Sequence, residues 1–262
     1  MILATALQMA ERRVGGWLTA PKYRLLTRGY ELRGGYERVY HYHVRKSAGT
    51  SLNRAFWELG GEDGPALLRR MKDSRLNRTI SNGLVIVRHN HAAIEQGLYF
   101  FANSHIAAHQ LRLPDRTFTV TILRDPLRRL LSHYRYLRWL EQNEPHKALF
   151  RREGGWLGSS FSDFMDRLPR PHLENQLYMF SATFDVEEAL ARLERCSAVM
   201  FSETFPVCLQ KLAGQLGLAL QEKHERRYDV QYELSDEERN KARELLAEEY
   251  RLLEASRARW SP

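Results

Sequence analysis

His43-Val44-Arg45-Lys46-Ser47-Ala48-Gly49-Thr50-Ser51-Leu52 is the stretch that decides the fold. It joins two kinds of periodicity. Before it, Arg38–Val44 reads RVYHYHV, aromatic and β-branched, which predicts a strand. After it, Ser51–Leu59 carries Leu52, Ala55, Phe56 and Leu59 at helical spacing. Small residues between strand and helix let backbone N–H groups converge, and the helix N-terminus adds partial positive charge. Lys46 adds a full charge, and Thr50 and Ser51 add hydroxyls. These are the parts of a phosphate cradle. Taken alone, the segment also reads as a plain strand–helix turn with a solvated lysine. It is not a Walker A loop, GxxxxGK[ST], because Lys46 precedes Gly49. No clear aspartate at a strand end is placed to hold Mg²⁺, which counts against an ATP-dependent kinase, the first alternative.

Outward from this loop, strand and helix signals alternate. Leu84–Arg88, Leu98–Ala102, Thr117–Leu123 and Ala198–Phe201 read as strands. Asp125–Glu141 reads as a long helix with Pro126 in its first turn, where the missing N–H costs nothing. Ser162–Leu168, His172–Ser181, Val186–Arg195 and Phe205–Leu216 carry helical patterns. Ser235 with Glu238 forms a capping box that opens a charged helix to about Ala255. Gly154, Gly155 and Gly158 predict a mobile loop over Arg151–Ser160. Strands separated by helices imply an α/β fold: a P-loop-like three-layer arrangement with a mostly parallel central sheet flanked by helices. Ligands of such sheets sit beyond the C-terminal strand ends. The domain expectation is one α/β domain over 36–262, preceded at 1–35 by a helix and a basic, glycine-containing link.

A second anion site is legible at Thr121-Ile122-Leu123-Arg124-Asp125-Pro126, which closes the strongest strand and starts the long helix. Arg124 stands at the strand's C-terminal end, and Ser132 follows eight residues later, about two turns into the helix. A guanidinium fork plus a hydroxyl suits a single phosphate. On its own this also reads as an arginine paired to Asp125 and a serine on a surface helix.

Composition bounds the function classes. The chain has 262 residues, 43% hydrophobic and 27% charged, which excludes a wholly disordered chain. No apolar run approaches the roughly 18–20 residues that span a bilayer. The formal net charge is +8 and the pI about 9.6, a balance that suits an anionic partner without choosing one. A basic nucleic-acid-binding protein is the second alternative, but it leaves the ordered pair of loops unexplained. Two cysteines, Cys196 and Cys208, exclude a disulfide framework and read as buried thiols. Residues 1–20 lack a basic n-region and read as an amphipathic helix rather than a secretory signal, packed on the domain or touching a membrane surface.

The two segments together resemble those of the PAPS-dependent sulfotransferases, where PAPS is 3′-phosphoadenosine 5′-phosphosulfate. The nearest branch holds the carbohydrate sulfotransferases, including heparan and dermatan 2-O-sulfotransferases and bacterial relatives. The resemblance implies that Lys46, Ser47, Ala48, Gly49, Thr50 and Ser51 grip the 5′-phosphosulfate, with Arg45 in the same loop. It implies that Arg124 and Ser132 grip the 3′-phosphate. Arg45 stands where the family usually has proline. Glu174-Asn175-Gln176-Leu177-Tyr178-Met179 is similar to the family's Asn-Leu-Gln-Thr-Arg helix without its arginine, and Ala198–Phe205 to its strand ending in Thr-Glu-Arg-Phe.

The family's reaction moves a sulfuryl group from PAPS to an acceptor hydroxyl, here expected on a glycan, with no metal. Lys46 is expected to neutralise the leaving oxygen. His105 in Asn103–His109 is expected as the base, with His109 as its rival. The pairs His41/His43 and His89/His91 lack nearby carboxylate or thiolate partners, so they read as packing or cleft residues rather than metal ligands. Arg88, His89 and His91 are candidates to line an acceptor cleft. Arg226-Arg227 reads as a solvated cluster, with a role at the 3′-phosphate as the alternative. The expected partner is a hydroxyl-bearing acceptor and not nucleic acid. The expected location is cytoplasmic, with peripheral membrane contact through residues 1–20 as a variant.

Overall fold

The computed structural model describes residues 23, 27, 29–74, 77–222 and 230–261. The predicted helix at 1–20 and the Arg226-Arg227 pair lie outside the described residues. Six strands make one sheet: β1 (Arg38–Tyr42), β2 (Arg78–Ser81), β3 (Leu84–Arg88), β4 (Phe101–Ser104), β5 (Thr117–Leu123) and β6 (Ala198–Phe201). Their order is β2-β3-β4-β1-β5-β6. All neighbours are parallel except the β2–β3 hairpin. β1 lies between β4 and β5, in register His41↔Asn103 and His41↔Val120. The chain therefore leaves β1 toward one edge and later builds the other, which makes the C-terminal end of β1 the switch point where such sheets bind ligands.

Helices close both faces because each strand alternates between two apolar layers. Val39, Ile86, Phe101, Val120 and Ile122 pack with Leu52, Phe56 and Trp57 of α1 (Gly49–Trp57) and with Leu67 of α2 (Gly64–Asp73). The Phe56 and Phe101 rings stack at 4.3 Å. Tyr40, Tyr42, Val87 and Ala102 face Leu177, Phe180, Leu190, Leu193 and Leu252 on the other side. Each fully buried aliphatic or aromatic side chain contributes about 1.5–3 kcal/mol. A third cluster joins Leu130, Tyr134 and Leu137 of the long helix to Phe161, Phe164 and Leu246.

The strong sequence signals place their elements well. After α3 (His91–Gln96), α4 runs Pro126–Asn143, with the Asp125 carboxylate accepting from the Arg128 N–H at 2.8 Å. The Ser235–Glu238 capping box is present. Other expectations need correction. The strand read at Leu98–Ala102 is Phe101–Ser104. The charged C-terminal helix breaks at Leu246 into two pieces, Asp236–Leu245 and Ala247–Trp260. Leu246 is buried there against the third cluster. The helix read at His172–Ser181 bends at Glu174 into Arg170–Leu173 and Asn175–Phe180. Two tyrosines anchor the expected basic link to the domain, while Gly29, Glu31, Arg33, Gly34 and Gly35 are exposed. Tyr23 is buried and donates to the Tyr99 carbonyl at 2.6 Å, and the Tyr30 ring packs 5.6 Å from Phe100. Cys208 is buried and Cys196 half-buried.

Candidate active site

The loop after β1 reaches α1 through two non-glycine residues in left-handed backbone, Lys46 (φ 64°) and Ala48 (φ 61°). That conformation costs about 1–2 kcal/mol at each L-residue, so the surroundings must hold it. Two contacts do. The Arg45 N–H donates to Asn175 Oδ1 at 3.0 Å, and the Arg124 guanidinium donates to the Lys46 carbonyl at 2.9 Å. Ala48, the N-cap residue, has no polar side chain to cap the first turn of α1. The Ser47 hydroxyl is buried without a partner among the described residues. Thr50 is exposed and Ser51 half-buried on the same turn.

Lys46 Nζ stands 4.3 Å from the centroid of the Tyr136 ring on α4. Burial first, then the Arg124 and Arg45 charges beside it, pull the Lys46 ammonium down from 10.5 to about 7. Ser132 is half-buried one helical turn before Tyr136, so it shares the helix face that carries Lys46. The structure thus brings Lys46 and Arg124 into direct contact and sets Ser132 on the helix face beside them.

Arg45 is placed differently from its expected donor role. Its guanidinium bonds Glu153 at 2.7 and 2.9 Å and His172 Nδ1 at 3.1 Å. Glu153 is buried, and His133 Nε2 lies 3.3 Å from its Oε2, the oxygen that also takes the 2.7 Å bond from Arg45. Burial alone would raise this carboxyl, but the His133 bond and Arg45 outweigh it and hold it down at about 2. Glu153 ends a helix (Ala148–Glu153) that continues as a 3₁₀ turn, Gly154–Trp156, with the Trp156 ring 4.7 Å from His172. The loop expected to be mobile is therefore pinned at its start. A buried, bonded carboxylate overrides the backbone entropy that its glycines bring.

A row of imidazoles lines the same end of the sheet. His41 stacks on His43 at 4.9 Å, His43 lies 4.5 Å from His105, and His105 lies 4.9 Å from His89. Asn53 of α1 keys the first two: its oxygen lies 2.8 Å from His41 Nδ1, and its amide nitrogen lies 3.3 Å from His43 Nδ1. His105 Nδ1 lies 2.6 Å from the His43 carbonyl oxygen. A carbonyl only accepts, so Nδ1 carries the proton and Nε2 keeps its lone pair. His105 is exposed at the mouth of this crowded cleft. The protein packed around it, then His89, Arg45 and Arg88, holds its pKa well below the usual 6.5. His109 turns elsewhere: its ring packs on Tyr178 at 5.3 Å, and its charged neighbours are Arg192 and Glu188. His91 pairs with Glu95 at 3.2 Å, apart from the imidazole row. Among the described residues no three His, Cys, Asp or Glu side chains converge on a metal position.

The sulfotransferase family model matches residues 35–248. The chain belongs to the sulfotransferase family. It is an enzyme that transfers a sulfuryl group. No curated protein matches its sequence. Among solved structures, a chain of retinol dehydratase in complex with androsterone and inactive cofactor PAP is similar to it at 14% identity and TM-score 0.35, covering 84% of this chain and 71% of that one.

The sulfotransferase's residues fit the donor. An uncapped helix start, an unspent buried hydroxyl and two adjoining cations suit a phosphosulfate. The nearby carboxylates are already occupied: Asp125 caps α4, Glu153 holds Arg45, and Glu203 takes the Asp125 N–H at 2.9 Å and Arg257 at 3.4 Å. Sequence reasoning missed Asn53, Tyr136 and Glu153. Only Asn53 left a signal, a polar residue beside Leu52 on the buried side of a helix.

Proposed function

We propose that this sulfotransferase takes its sulfuryl group from PAPS and delivers it to a hydroxyl of a glycan, with His105 as the base. The observation that carries the reading is the His105 Nδ1–H bond to the His43 carbonyl, because it leaves Nε2 unprotonated beside the phosphate loop. When bound, the donor supplies an activated sulfuryl group on a phosphate leaving group. His105 Nε2 takes the acceptor's hydroxyl proton. Lys46 offsets the charge left on the departing phosphate oxygen, a contribution of about 3–4 kcal/mol for one well-aimed donor. Ser47, Thr50 and the open first turn of α1 hold the 5′ end, and Arg124 with Ser132 holds the 3′-phosphate.

An acceptor with negative charge near its reacting hydroxyl is favoured by Arg88. That guanidinium is half-buried against the Trp57 ring at 5.7 Å and donates to His89 Nε2 at 3.1 Å. No acidic side chain pairs with it among the described residues. Acidic glycans meet that chemistry.

The test is calorimetry with 3′-phosphoadenosine 5′-phosphate (PAP), with and without Mg²⁺, against AMP and ATP, followed by transfer from PAPS to acidic glycans, neutral glycans and phenols. Metal-independent binding that needs the 3′-phosphate, with transfer to acidic glycans, is the expected result. Preference for Mg·ATP would overturn the donor assignment. Transfer to phenols alone would overturn the acceptor.

A further inference from the structure

β5 ends at Leu123, and no strand residue pairs with Arg124. Its backbone is instead clasped by one side chain. The Arg124 N–H donates to Gln176 Oε1 at 2.7 Å, and Gln176 Nε2 donates to the Arg124 carbonyl at 3.0 Å. The amide acts as a neighbouring peptide would, one strand position past the end of the sheet. Gln176 itself is buried, as are both groups behind it, Glu249 and Arg129.

Glu249 fixes which way the amide faces. Its Oε1 accepts the Gln176 N–H at 2.6 Å, and its Oε2 accepts Arg129 at 3.2 Å and the Gln176 side-chain amide at 3.4 Å. A flipped amide would turn its oxygen toward the Glu249 carboxylate and the Arg124 carbonyl, with no donor for either. Arg129 also donates to the His172 carbonyl at 3.2 Å and to the Leu173 carbonyl, which ties the preceding helical turn to the same carboxylate. The order of bonds is thus Arg129, Glu249, Gln176, then Arg124, whose guanidinium ends on the Lys46 carbonyl.

We propose that Gln176 is a positioning residue for donor recognition: its amide clasp sets Arg124 so that the guanidinium meets the donor's 3′-phosphate while staying bonded to the Lys46 loop. The inference rests on the reading of Arg124 as the 3′-phosphate ligand. It separates Gln176 from an ordinary buried amide by its selectivity. A group that only stabilises the fold supports every ligand equally. A group that acts through Arg124 supports only ligands carrying the 3′-phosphate.

The experiment compares affinities for PAP and AMP in the full chain, for wild type, Arg124→Ala, Gln176→Glu and Gln176→Leu. Gln176→Glu keeps an acceptor for the Arg124 N–H, loses the donor to its carbonyl and faces Glu249. Gln176→Leu loses both bonds. The expected result is that all three variants lose the preference for PAP over AMP by about tenfold or more, the worth of hydrogen bonds to a charged group, with AMP affinity falling much less than PAP affinity. Loss of the preference in Arg124→Ala but not in the Gln176 variants overturns the proposal alone. An unchanged preference in Arg124→Ala overturns the 3′-phosphate reading and the proposal with it. Equal weakening of PAP and AMP in the Gln176 variants assigns Gln176 a stabilising role only, and overturns the proposal. If the Gln176 variants do not fold, hydrogen exchange in wild type decides. PAP must then slow exchange at Arg124 and in 174–178 more than AMP does, and equal slowing by the two nucleotides overturns the proposal.

Discussion

The Arg124 guanidinium donates to the carbonyl oxygen of Lys46 at 2.9 Å, across 78 residues of sequence. The two anion-binding segments are therefore one device, since each cation's position depends on the other's segment. Lys46→Ala should lower kcat by about 10²–10³ with a smaller effect on donor affinity, because its charge is needed most when the leaving oxygen develops. Arg124→Ala should mainly raise the donor KM. The double variant should depart from additivity by about 0.5–3 kcal/mol, because the Arg124 and Lys46 charges act on each other directly. Steady-state kinetics on the four proteins measures this, and strict additivity would show that the loops act independently.

The depressed pKa of Lys46 gives a pH dependence whose sign can be worked out. In the folded chain without donor the ammonium titrates at about 7, against 10.5 for an ordinary lysine. Between those values the unfolded chain holds one more proton, so this group makes stability rise with pH from about 7 toward 10.5. Below 7 the cost of the buried charge is complete. Lys46→Met should therefore raise Tm of the free protein at pH 6 and remove this slope. PAP binding should take up a proton above pH 7, and its affinity should fall as pH rises. Melting curves against pH, and calorimetry in buffers of different ionisation enthalpy, check both signs.

Much of this was legible because the strongest local signals sit on the functional elements. The Lys46–Ser51 loop lies between a strand and a helix whose periods differ, and Arg124-Asp125-Pro126 carries its own cap and helix start. What stayed hidden depends on contacts between distant residues. Nothing near Glu153 in sequence announces Arg45 and His133 as partners, since they lie 108 and 20 residues away. The break at Leu246 is equally invisible. The helical pattern runs through it, and only the burial of that leucine in the third cluster turns the chain. Likewise His105 and His109 are equivalent as letters. They part only because one ring meets the His43 carbonyl and the other packs on Tyr178.

His105→Ala should leave PAP affinity unchanged and lower kcat by about 10²–10⁴, the usual range for a general base. His109→Ala should leave kcat within a few-fold of wild type, well short of the about 10²-fold that the weakest such base contributes. The low pKa of His105 carries a further expectation. The protein packed around the ring and the neighbouring His89, Arg45 and Arg88 keep it neutral at pH 6, so kcat/KM should show no His-dependent fall between pH 7 and 5. A pH–rate profile with an acid limb near 6.5 that disappears in His105→Ala would contradict that environment. A wild-type rate in His105→Ala would remove it as the base.

Glu153 separates two roles for Arg45, holding the loop or touching the donor. Its carboxylate is 3% exposed and takes the guanidinium at 2.7 Å, with His133 at 3.3 Å. Removing it by Glu153→Ala strands a mostly buried Arg45 and should cost up to about 3 kcal/mol, the low end for breaking a buried pair. The carboxyl is held at about 2, below its ordinary value, so its contribution is present above the ordinary value and lost as pH falls toward 2. Arg45→Ala should then restore part of the stability lost in Glu153→Ala, because the unpaired charge is gone. PAP affinity decides the rest. If Arg45 acts by holding the loop, Arg45→Ala and Glu153→Ala weaken PAP by similar factors. If Arg45 touches the donor directly, Arg45→Ala weakens PAP strongly while Glu153→Ala, which frees the guanidinium, strengthens it. The bidentate grip on Glu153 and the bond to His172 favour the first outcome.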